Sequence, residues 1–430
     1  MTASTASDSQ KRARLSLQQV VDGGLCSGCG ACAFAQPDKI RIADVTDAGL
    51  RPQPIDPQAT ELPAGEGAAV CPGGELSLDA SDFGTDTIPE LRAGWGPVRQ
   101  LWEGAAADTE LRYSGSSGGA ASALALYALE AQGYQGVLHV AASEDLPYLN
   151  RTVISRSRAE LLRRTGSRYA PASPCDGLGA IEEGAGPFVF IGKPCDVAAT
   201  RKARHLRPEL DRNLGLTIAF FCAGVPSTRG TMEMLRKMGV LDPSTLQSLR
   251  YRGNGWPGEA TAVFQSGDGQ RLESRLAYEQ SWGGVLSKHV QWRCRLCADH
   301  TGEFADIAVG DPWYRQVEEG EPGSSLILGR TERGRAFIQA AINAGYISAY
   351  PASPDLLPRS QKNLLKARGA VWGRLLALRA VRAHAPRYDG IRMLPFWWKE
   401  LSLREKLLSV AGTIRRCVTR GLHPWLQKRK

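Results

Sequence analysis

Short apolar segments alternate with longer segments of helical periodicity between residues 98 and 350. The apolar runs predict β-strands, and apolar positions that repeat at i, i+3 and i+4 predict helices. Strands are expected over 136–141, 187–192, 214–222 and 306–309, and helices near 117–132, 196–206, 227–238 and 331–343. A further pair of strands within 246–275 turns at 266–269, which predicts a hairpin. The pattern therefore predicts a mixed α/β (α+β) fold whose sheet is not purely parallel.

The amino-terminal part of the chain lacks this alternation. Residues 1–22 are polar and carry no apolar signal-peptide segment, which predicts a disordered leader and a cytoplasmic protein. Residues 23–86 are rich in Gly, Pro and Cys, which predicts a small ferredoxin-like module organised by its metal ligands. Residues 88–97, rich in Pro and Gly, predict a linker to a larger body over 98–350.

The positive charge of the chain is concentrated at its carboxyl end. The net charge is +9, yet residues 359–430 contain 18 Lys and Arg against 3 Asp and Glu, which leaves 35 against 41 for residues 1–358. Because the body carries a slight acidic surplus, it has no electrostatic footprint for DNA or RNA, and no nucleic-acid partner is expected. No apolar run reaches the roughly 18 residues that span a bilayer.

The basic tail, residues 359–430, is expected to be helical. Three aromatic residues, Phe396, Trp397 and Trp398, precede a basic segment whose apolar positions are Leu401, Leu403, Leu407, Leu408, Ala411 and Ile414. Two interpretations are open for this amphipathic pattern. The helix either lies on an anionic membrane surface or an acidic partner, or packs on its own body with a solvated basic face.

One set of cysteines has the spacing of a ferredoxin. Cys26, Cys29 and Cys32 are separated by two small residues each, and Cys71, followed by Pro, completes the set. Three closely spaced thiolates can hold three corners of a cubane cluster, and a remote Cys-Pro supplies the fourth. Zinc sites are usually built from two separate C-x2-C pairs, so the triplet predicts a 4Fe-4S cluster.

A second set of cysteines is dispersed. Cys195 and Cys222 follow the ends of predicted strands, and Cys294 and Cys297 form a C-x2-C pair. Open α/β sheets build their sites at the carboxyl ends of strands, which favours a second metal ligand set. From the residues alone two alternatives stay open: the pair is half of a zinc site, or the others are buried core cysteines.

Several motifs in the body resemble the beta subunit family of coenzyme F-420 hydrogenases and dehydrogenases, which also includes a plant chlorophyll-derivative reductase. The similar segments lie within residues 20–350 and are GKPCD at 192–196, YRGNGWPG at 251–258, CRLCAD at 294–299 and ADIAVGD at 305–311. The resemblance implies FAD, at least one 4Fe-4S cluster, and hydride exchange at the flavin with a deazaflavin (coenzyme F-420) or another substrate. It favours a second 4Fe-4S cluster on the dispersed cysteines, which leaves Cys175 and Cys417 without ligand roles; Cys175 is then a structural or a catalytic thiol.

Because of this resemblance, a glycine-rich segment is a candidate flavin site. Such a turn before a helix exposes backbone N–H groups that favour phosphate, although the segment alone fits an ordinary turn equally well. The candidate residues are Ser114, Ser117, Gly118, Gly119 and Ser122.

Other candidate cofactor contacts also rest on the resemblance. Arg168 is expected to pair with a pyrophosphate, Tyr169 to stack on a planar ring, and Lys193 to lie near the cofactor. Asn254 and Trp256 either line the same cleft or form a tight turn with a core Trp. Asp306 and Asp311 are expected to be structural, and no catalytic residue is assigned.

These observations predict an iron-sulfur flavoprotein. A two-electron donor or acceptor would exchange hydride with FAD, and two 4Fe-4S clusters would pass single electrons to a redox protein partner or ferredoxin. The alternatives are a ferredoxin-dependent reductase of an unknown organic substrate, a non-catalytic electron-transfer subunit, and a zinc-stabilised interaction module.

Overall fold

The computed structural model describes residues 14–422, except 317 and 319. Its helices are α1 Leu17–Asp22, α2 Ala31–Ala35, α3 Glu66–Ala69, α4 Pro89–Trp95, α5 Thr109–Ser114, α6 Ala120–Ala131, α7 Arg158–Arg163, α8 Gly179–Glu182, α9 Pro194–Arg204, α10 Pro208–Asn213, α11 Thr228–Lys237, α12 Trp292–Arg295, α13 Glu332–Asn343, α14 Leu356–Ser360, α15 Lys362–Ala380, α16 Leu394–Glu400 and α17 Leu403–Thr419.

The strands are β1 Ile40–Val45, β2 Gly49–Pro54, β3 Glu75–Ser77, β4 Gln100–Ala106, β5 Gly136–Ala142, β6 Asn150–Ser155, β7 Phe188–Gly192, β8 Leu214–Phe220, β9 Leu246–Arg250, β10 Ala260–Gln265, β11 Arg271–Leu276, β12 Ile307–Gly310, β13 Ser325–Gly329, β14 Ile347–Pro351 and β15 Arg387–Asp389.

An eight-stranded mixed sheet forms the centre of the molecule, in the order β14-β4-β13-β12-β8-β7-β5-β6. Strands β12, β8, β7 and β5 are adjacent and run parallel to one another. The strands on either side of this group pair antiparallel. Strand β7 is buried throughout and reads as a continuous apolar run, as a strand covered on both faces should. The predicted mixed α/β fold is confirmed.

The predicted elements of the body are close to those observed. The hairpin pairs β10 with β11 around the expected turn, and β9 adds a third strand. The helix expected from residue 117 begins with a 3-10 turn, Ser116–Gly119, before α6. Helices α9, α11 and α13 begin and end within two residues of their predicted bounds. The apolar pattern therefore located the four parallel strands of the central sheet, but it did not predict β4, β6, β13 or β14.

Two predictions for the amino-terminal part are wrong. The last residues of the expected leader form α1, in which Ser16 and Gln19 bond to each other's backbone N–H groups and Leu17 is buried; residues 1–13 lie outside the described part. The expected linker over 88–97 forms α4, whose Leu91 and Trp95 side chains enter the core.

The predicted ferredoxin-like module shares its core with the body. Cys26, Phe34 and Val70 belong to the same hydrophobic cluster as side chains of β7 and α9. The backbone N–H of Cys175 donates to the carbonyl oxygen of Cys29 at 2.9 Å, which joins the two segments directly. The domain limits stay a prediction, but the segments are in contact over a common apolar interior.

The described part of the basic tail is mainly helical and contacts the rest of the chain. Strand β15 pairs in parallel with β3, and the rings of Trp372 and Trp397 lie 4.7 Å apart between α15 and α16. Arg368 on α15 forms a buried ion pair with Glu303, and its Nε donates to the carbonyl oxygen of Arg392. Within the described ranges, no helix is both long enough and apolar enough to cross a membrane.

Replacing Arg368 by Ala should strongly destabilise the protein. The side chains of Arg368 and Glu303 are 4% and 1% exposed, so the substitution leaves a buried carboxylate unpaired, at a cost of about 3–5 kcal/mol. The matched control is Lys366→Ala, because Lys366 pairs with Glu405 on the surface, where both side chains are more than 40% exposed. That pair should contribute about 0–1 kcal/mol. Urea unfolding of both variants measures the difference, and equal losses would contradict the assignment.

Candidate functional site

The first cysteine set is shaped by glycines with left-handed backbone. Gly28 and Gly30 have φ values of +73° and +90°, and a Cβ at Gly28 would lie 2.7 Å from the carbonyl oxygen of Leu50. Only glycine adopts this conformation without strain, so the chain can curl between Cys26 and Cys32. The backbone N–H of Gly28 points at the Cys26 sulfur, 3.3 Å away. This is the local geometry that the C-x2-C-x2-C spacing predicts.

The four thiols of this set lie close enough to influence one another. Burial is the main cause that raises the pKa of Cys32, Cys71 and Cys26; the charges of Cys26 and Cys29 contribute for the first two, and for Cys71 the result is about 12. Thiolates at these positions therefore need a positively charged group beside them, and an iron-sulfur cluster fits this set.

The fold brings the four dispersed cysteines together. Cys195 opens α9, Cys222 follows β8, and Cys294 and Cys297 lie in and after α12. Burial is the main cause that raises the pKa of Cys222 and Cys297 to about 12, and the charges of neighbouring cysteines contribute to these values. The N–H of Val225 donates to the Cys294 sulfur at 3.3 Å. The second set thus has the same chemistry as the first, and it also fits a cluster.

Among the described residues, no group of three or more His, Cys, Asp or Glu side chains is arranged so that it could hold a metal ion.

Two arginines lie between the cysteine sets. The guanidinium groups of Arg51 and Arg293 both lower the pKa of Cys26 in the first set and of Cys294 in the second, against the larger effect of burial. Arg293 is buried and donates to the carbonyl oxygen of Pro72 at 2.9 Å and to the Tyr388 hydroxyl at 2.8 Å. The two sets are therefore neighbours that share the same cations.

The remaining cysteines are buried. The Cys175 thiol lies 3.3 Å from the carbonyl oxygen of Asp196 and 3.5 Å from the Thr200 hydroxyl. A hydrogen bond from the Cys175 thiol is also the main influence that lowers the pKa of Cys29. Cys417 is buried on α17. These contacts support a structural role for Cys175 beside the first set.

A cavity of about 290 Å³ opens at the carboxyl ends of the parallel strands. Of the candidate flavin residues, those that line it are Ser117, Gly119, Ser122, Arg168, Tyr169 and Lys193. Cys222 of the second set lies in the same wall. Ser114, Gly118, Asn254 and Trp256 are outside the lining, and Asn254 is exposed to solvent. The structure thus places most of the predicted flavin residues and one thiol of the second set around the same cavity.

The glycine-rich turn is needed for backbone packing. Ser117, Gly118 and Gly119 all have left-handed backbone, with φ between +52° and +71°. A Cβ at Gly118 would lie 2.8 Å from the carbonyl oxygen of Gly323, and one at Gly119 would lie 2.4 Å from that of Leu111. The turn leads into the twelve-residue helix α6, whose amino end faces the cavity through Gly119 and Ser122. A helix amino terminus is favourable for an anion.

Asp311 is the centre of a buried hydrogen-bond cluster in the cavity wall. It accepts bonds from both terminal nitrogens of Arg252, at 2.5 and 3.0 Å, from the Ser117 hydroxyl at 2.5 Å and from Trp256 Nε1 at 2.7 Å. Burial opposes ionisation of Asp311, but the Arg252 guanidinium and these donors hold its pKa below the usual value. Asp311 therefore holds the side chains of Ser117, Arg252 and Trp256 in place at the cavity wall.

The two interpretations of the 251–258 turn are now distinguishable. Trp256 is buried and stacks on Trp313 with ring centroids 5.0 Å apart, which supports the core interpretation. Asp306 accepts bonds from the N–H and hydroxyl of Thr217 and from the Thr331 hydroxyl, as expected of a structural residue.

Arg168 and Lys193 are engaged with the protein itself. Arg168 donates to the Asn150 side chain at 2.8 Å and to the carbonyl oxygens of Leu249, Pro147 and Leu149. The Lys193 ammonium lies 2.6 Å from an Asp196 carboxylate oxygen. Both side chains line the cavity, but the described bonds give Arg168 the role of supporting its wall.

Sequence reasoning missed several lining residues, among them His139, Arg164, Tyr278, Trp282, Trp313 and Gln361. Gln361 comes from the tail and donates to the carbonyl oxygen of Asp311 at 2.6 Å. Tyr278, Trp282 and Trp313 were isolated aromatic residues without a motif, so only the tertiary fold reveals that they share a wall with Tyr169.

Comparisons with known proteins agree with this arrangement. Two family models of the coenzyme F420 hydrogenase/dehydrogenase beta subunit match the chain, the amino-terminal one over residues 101–178 and the carboxyl-terminal one over residues 187–355. The matches include the second cysteine set and exclude the first. The resemblance drawn from the motifs is confirmed.

Two relatives of the chain carry coenzyme F420 in their names. The chain is 27% identical over 247 residues to coenzyme F420 hydrogenase subunit beta of Methanococcus voltae, which covers 56% of this chain and 80% of the relative. It is 25% identical to coenzyme F420-dependent sulfite reductase of Methanocaldococcus jannaschii, over 74% of this chain and 46% of the relative.

A solved structure shares the fold. It is a chain of the F420-reducing [NiFe] hydrogenase complex from Methanosarcina barkeri, with a TM-score of 0.52 and 19% identity, over 72% of this chain and 99% of that one.

Protonation of His139 should destabilise the protein in acid. Burial, together with the nearby Arg164, lowers the pKa of His139 to about 4, from an ordinary value of 6.5. The unfolded chain therefore binds the proton first, and stability is complete above pH 6.5 and is lost as the pH falls toward 4. The loss should reach roughly 3 kcal/mol.

The variant His139→Gln removes this titration, so its unfolding free energy in urea should change less over the same pH range. His205→Gln, at an exposed position, is the matched control. Parallel pH profiles for wild type and His139→Gln would show that the histidine is not held neutral.

Proposed function

The chain belongs to the coenzyme F420 hydrogenase/dehydrogenase beta subunit family, and from this membership we propose that it is an iron-sulfur flavoprotein oxidoreductase. FAD in the cavity would exchange hydride with coenzyme F420 or another organic substrate, and two 4Fe-4S clusters would connect it to a redox protein partner. The observation that carries the proposal is that the cavity and the second cysteine set share a wall at Cys222. A cofactor in the cavity would therefore lie beside the second cluster.

The residues of the cavity suit a cofactor with a charged end and a flat end. The amino terminus of α6 favours phosphate, and the hydroxyls of Ser117 and Ser122 lie beside it. Tyr169 and Trp282, with ring centroids 5.0 Å apart, offer apolar faces to a planar ring. FAD supplies the exchange between two-electron and one-electron transfer, and the clusters supply one-electron transfer.

The protein's own side chains set the electrostatics around this route. Burial lowers the pKa of Lys193, but the Asp196 carboxylate 2.6 Å away outweighs that effect, so the pKa is raised and Lys193 keeps its proton. It thus provides a fixed positive charge in the wall between the cavity and the second set. Arg293, buried between the two sets, provides another. Cations in these positions stabilise additional negative charge on neighbouring groups and so favour their reduction.

The order of the two sets supports electron transfer with a protein. The second set borders the cavity, and Arg51 and Arg293 act on the pKa of cysteines in both sets. The first set is also outside the matched family segments. This arrangement favours a second candidate function, a reductase of another organic substrate that receives its electrons from ferredoxin through the first set.

Anaerobically reconstituted protein should contain about eight iron and eight sulfide per chain, since each set would hold a 4Fe-4S cluster. Cys29→Ser and Cys294→Ser should each lower both values to about four. Cys294→Ser should also reduce the bound flavin, because the second set borders the cavity, whereas Cys29→Ser should leave it largely intact. Cys417→Ser, at a buried cysteine outside both sets, is the control and should keep the full content. A wild-type value near four would remove one set from the proposal.

Reduced coenzyme F420, added anaerobically, should bleach the visible band of the oxidised flavin and then that of the clusters. Ser122→Phe should prevent flavin binding, because a ring on α6 would occupy the cavity next to the helix amino terminus. Unchanged iron and sulfide would show that this variant folds. Bleaching by reduced ferredoxin but not by reduced coenzyme F420 would select the second candidate. If neither acts on FAD-loaded protein, the chain has no substrate of either class and both enzyme functions are wrong.

A further inference from the structure

Helix α17 is turned with its leucines toward solvent. Its buried positions are the small residues Ser409, Thr413 and Cys417, four residues apart along one face. Leu403 and Leu407 are 74% and 62% exposed. An amphipathic helix that only packed on its own body would bury these leucines and expose the polar residues. The packed-helix interpretation therefore accounts for the attachment of α17 but not for its outer face.

The exposed apolar surface extends beyond one helix. Leu408 and Val418 on α17 are also more than half exposed, and Trp398 on the neighbouring helix α16 is 68% exposed. Helices α16 and α17 both pack on α15, and Lys406 of α17 contacts the Trp398 ring, so these exposed side chains are carried by neighbouring helices. Contiguous exposed apolar side chains on a folded protein usually mark an interaction site.

Positively charged side chains lie beside these exposed apolar residues. The Lys406 ammonium lies 4.6 Å from the ring of Trp398, and Arg404 and Arg415 are exposed on α17 beside the leucines. The tail as a whole has 18 Lys and Arg against 3 Asp and Glu, and its last eight residues add Trp425 and further Lys and Arg to the sequence, outside the described part. Positively charged side chains on α17 therefore flank the exposed apolar ones.

We propose that α16 and α17 form a peripheral binding surface for a bilayer with anionic headgroups. The leucines would enter the boundary between headgroups and acyl chains, the tryptophan would lie at headgroup level, and the Lys and Arg side chains would pair with lipid phosphates. A second copy of this chain is a poorer occupant, because it would bring an equal positive surplus against the first. Charge complementarity therefore favours an anionic occupant, and the exposed leucines with a tryptophan are the pattern of a helix that lies on a bilayer.

The test is sedimentation of full-length, cofactor-loaded protein with vesicles of equal parts phosphatidylcholine and phosphatidylglycerol. Leu403→Gln combined with Leu407→Gln should weaken binding by roughly a hundredfold, about tenfold for each leucine withheld from the acyl boundary. Leu241→Gln is the matched control, since Leu241 is 82% exposed but lies outside the tail. Arg404→Gln combined with Arg415→Gln should weaken binding as well, and added salt should reduce it.

Three results would overturn the proposal. The intact protein would fail to sediment with the anionic vesicles, or the double leucine variant would sediment as well as the Leu241→Gln control. Equal binding to pure phosphatidylcholine would remove the anionic requirement. Analytical ultracentrifugation distinguishes the other occupant: self-association of the wild type that the leucine substitutions abolish, without vesicle binding, would assign the surface to a second copy.

Discussion

Eight thiols lie in two neighbouring groups that are buried or half-buried, and loss of water opposes their ionisation. The pKa values of Cys71, Cys222 and Cys297 are raised to about 12, so these sulfurs become ligands only when a positively charged group compensates for the lost water. Two shared arginines supply part of that charge. The left-handed glycines allow the backbone to turn between the cysteines of the first set, and the strand ends position Cys195 and Cys222 of the second.

The position of the second set follows from the sheet. Parallel strands end at one edge, and β7, β8 and β12 end in Gly192, Phe220 and Gly310, next to the cavity. This is where open α/β sheets generally form sites. Cys195 and Cys222 were assigned to this edge from the sequence, since an apolar run followed by a polar or small residue marks a strand end. The cavity lies between these strand ends and the amino end of α6.

The errors of the sequence analysis have physical causes. Helix α4 was taken as a linker because of its Pro and Gly, but Pro89 lies in the first turn, where proline is tolerated, and Gly96 ends the helix with φ of +70°. Helix α1 carried a readable capping box in Ser16 and Gln19. By contrast, the bonds of Asp311 to Ser117 and Arg252 join residues far apart in the chain, so its place in the cavity wall was not predictable from local pattern.

The pairing of β3 with β15 has a consequence for how the protein is made. Glu75–Ser77 follows the last cysteine of the first set, and its partner strand in the described structure, Arg387–Asp389, is near the carboxyl end. During synthesis the amino-terminal segment leaves the ribosome long before that partner exists. Its strand can be completed only after Arg387–Asp389 has emerged as well. The first set therefore acquires its final surroundings only after the body of the protein has been made, and an iron-sulfur carrier that acts on the assembled site would meet a chain that already contains that body.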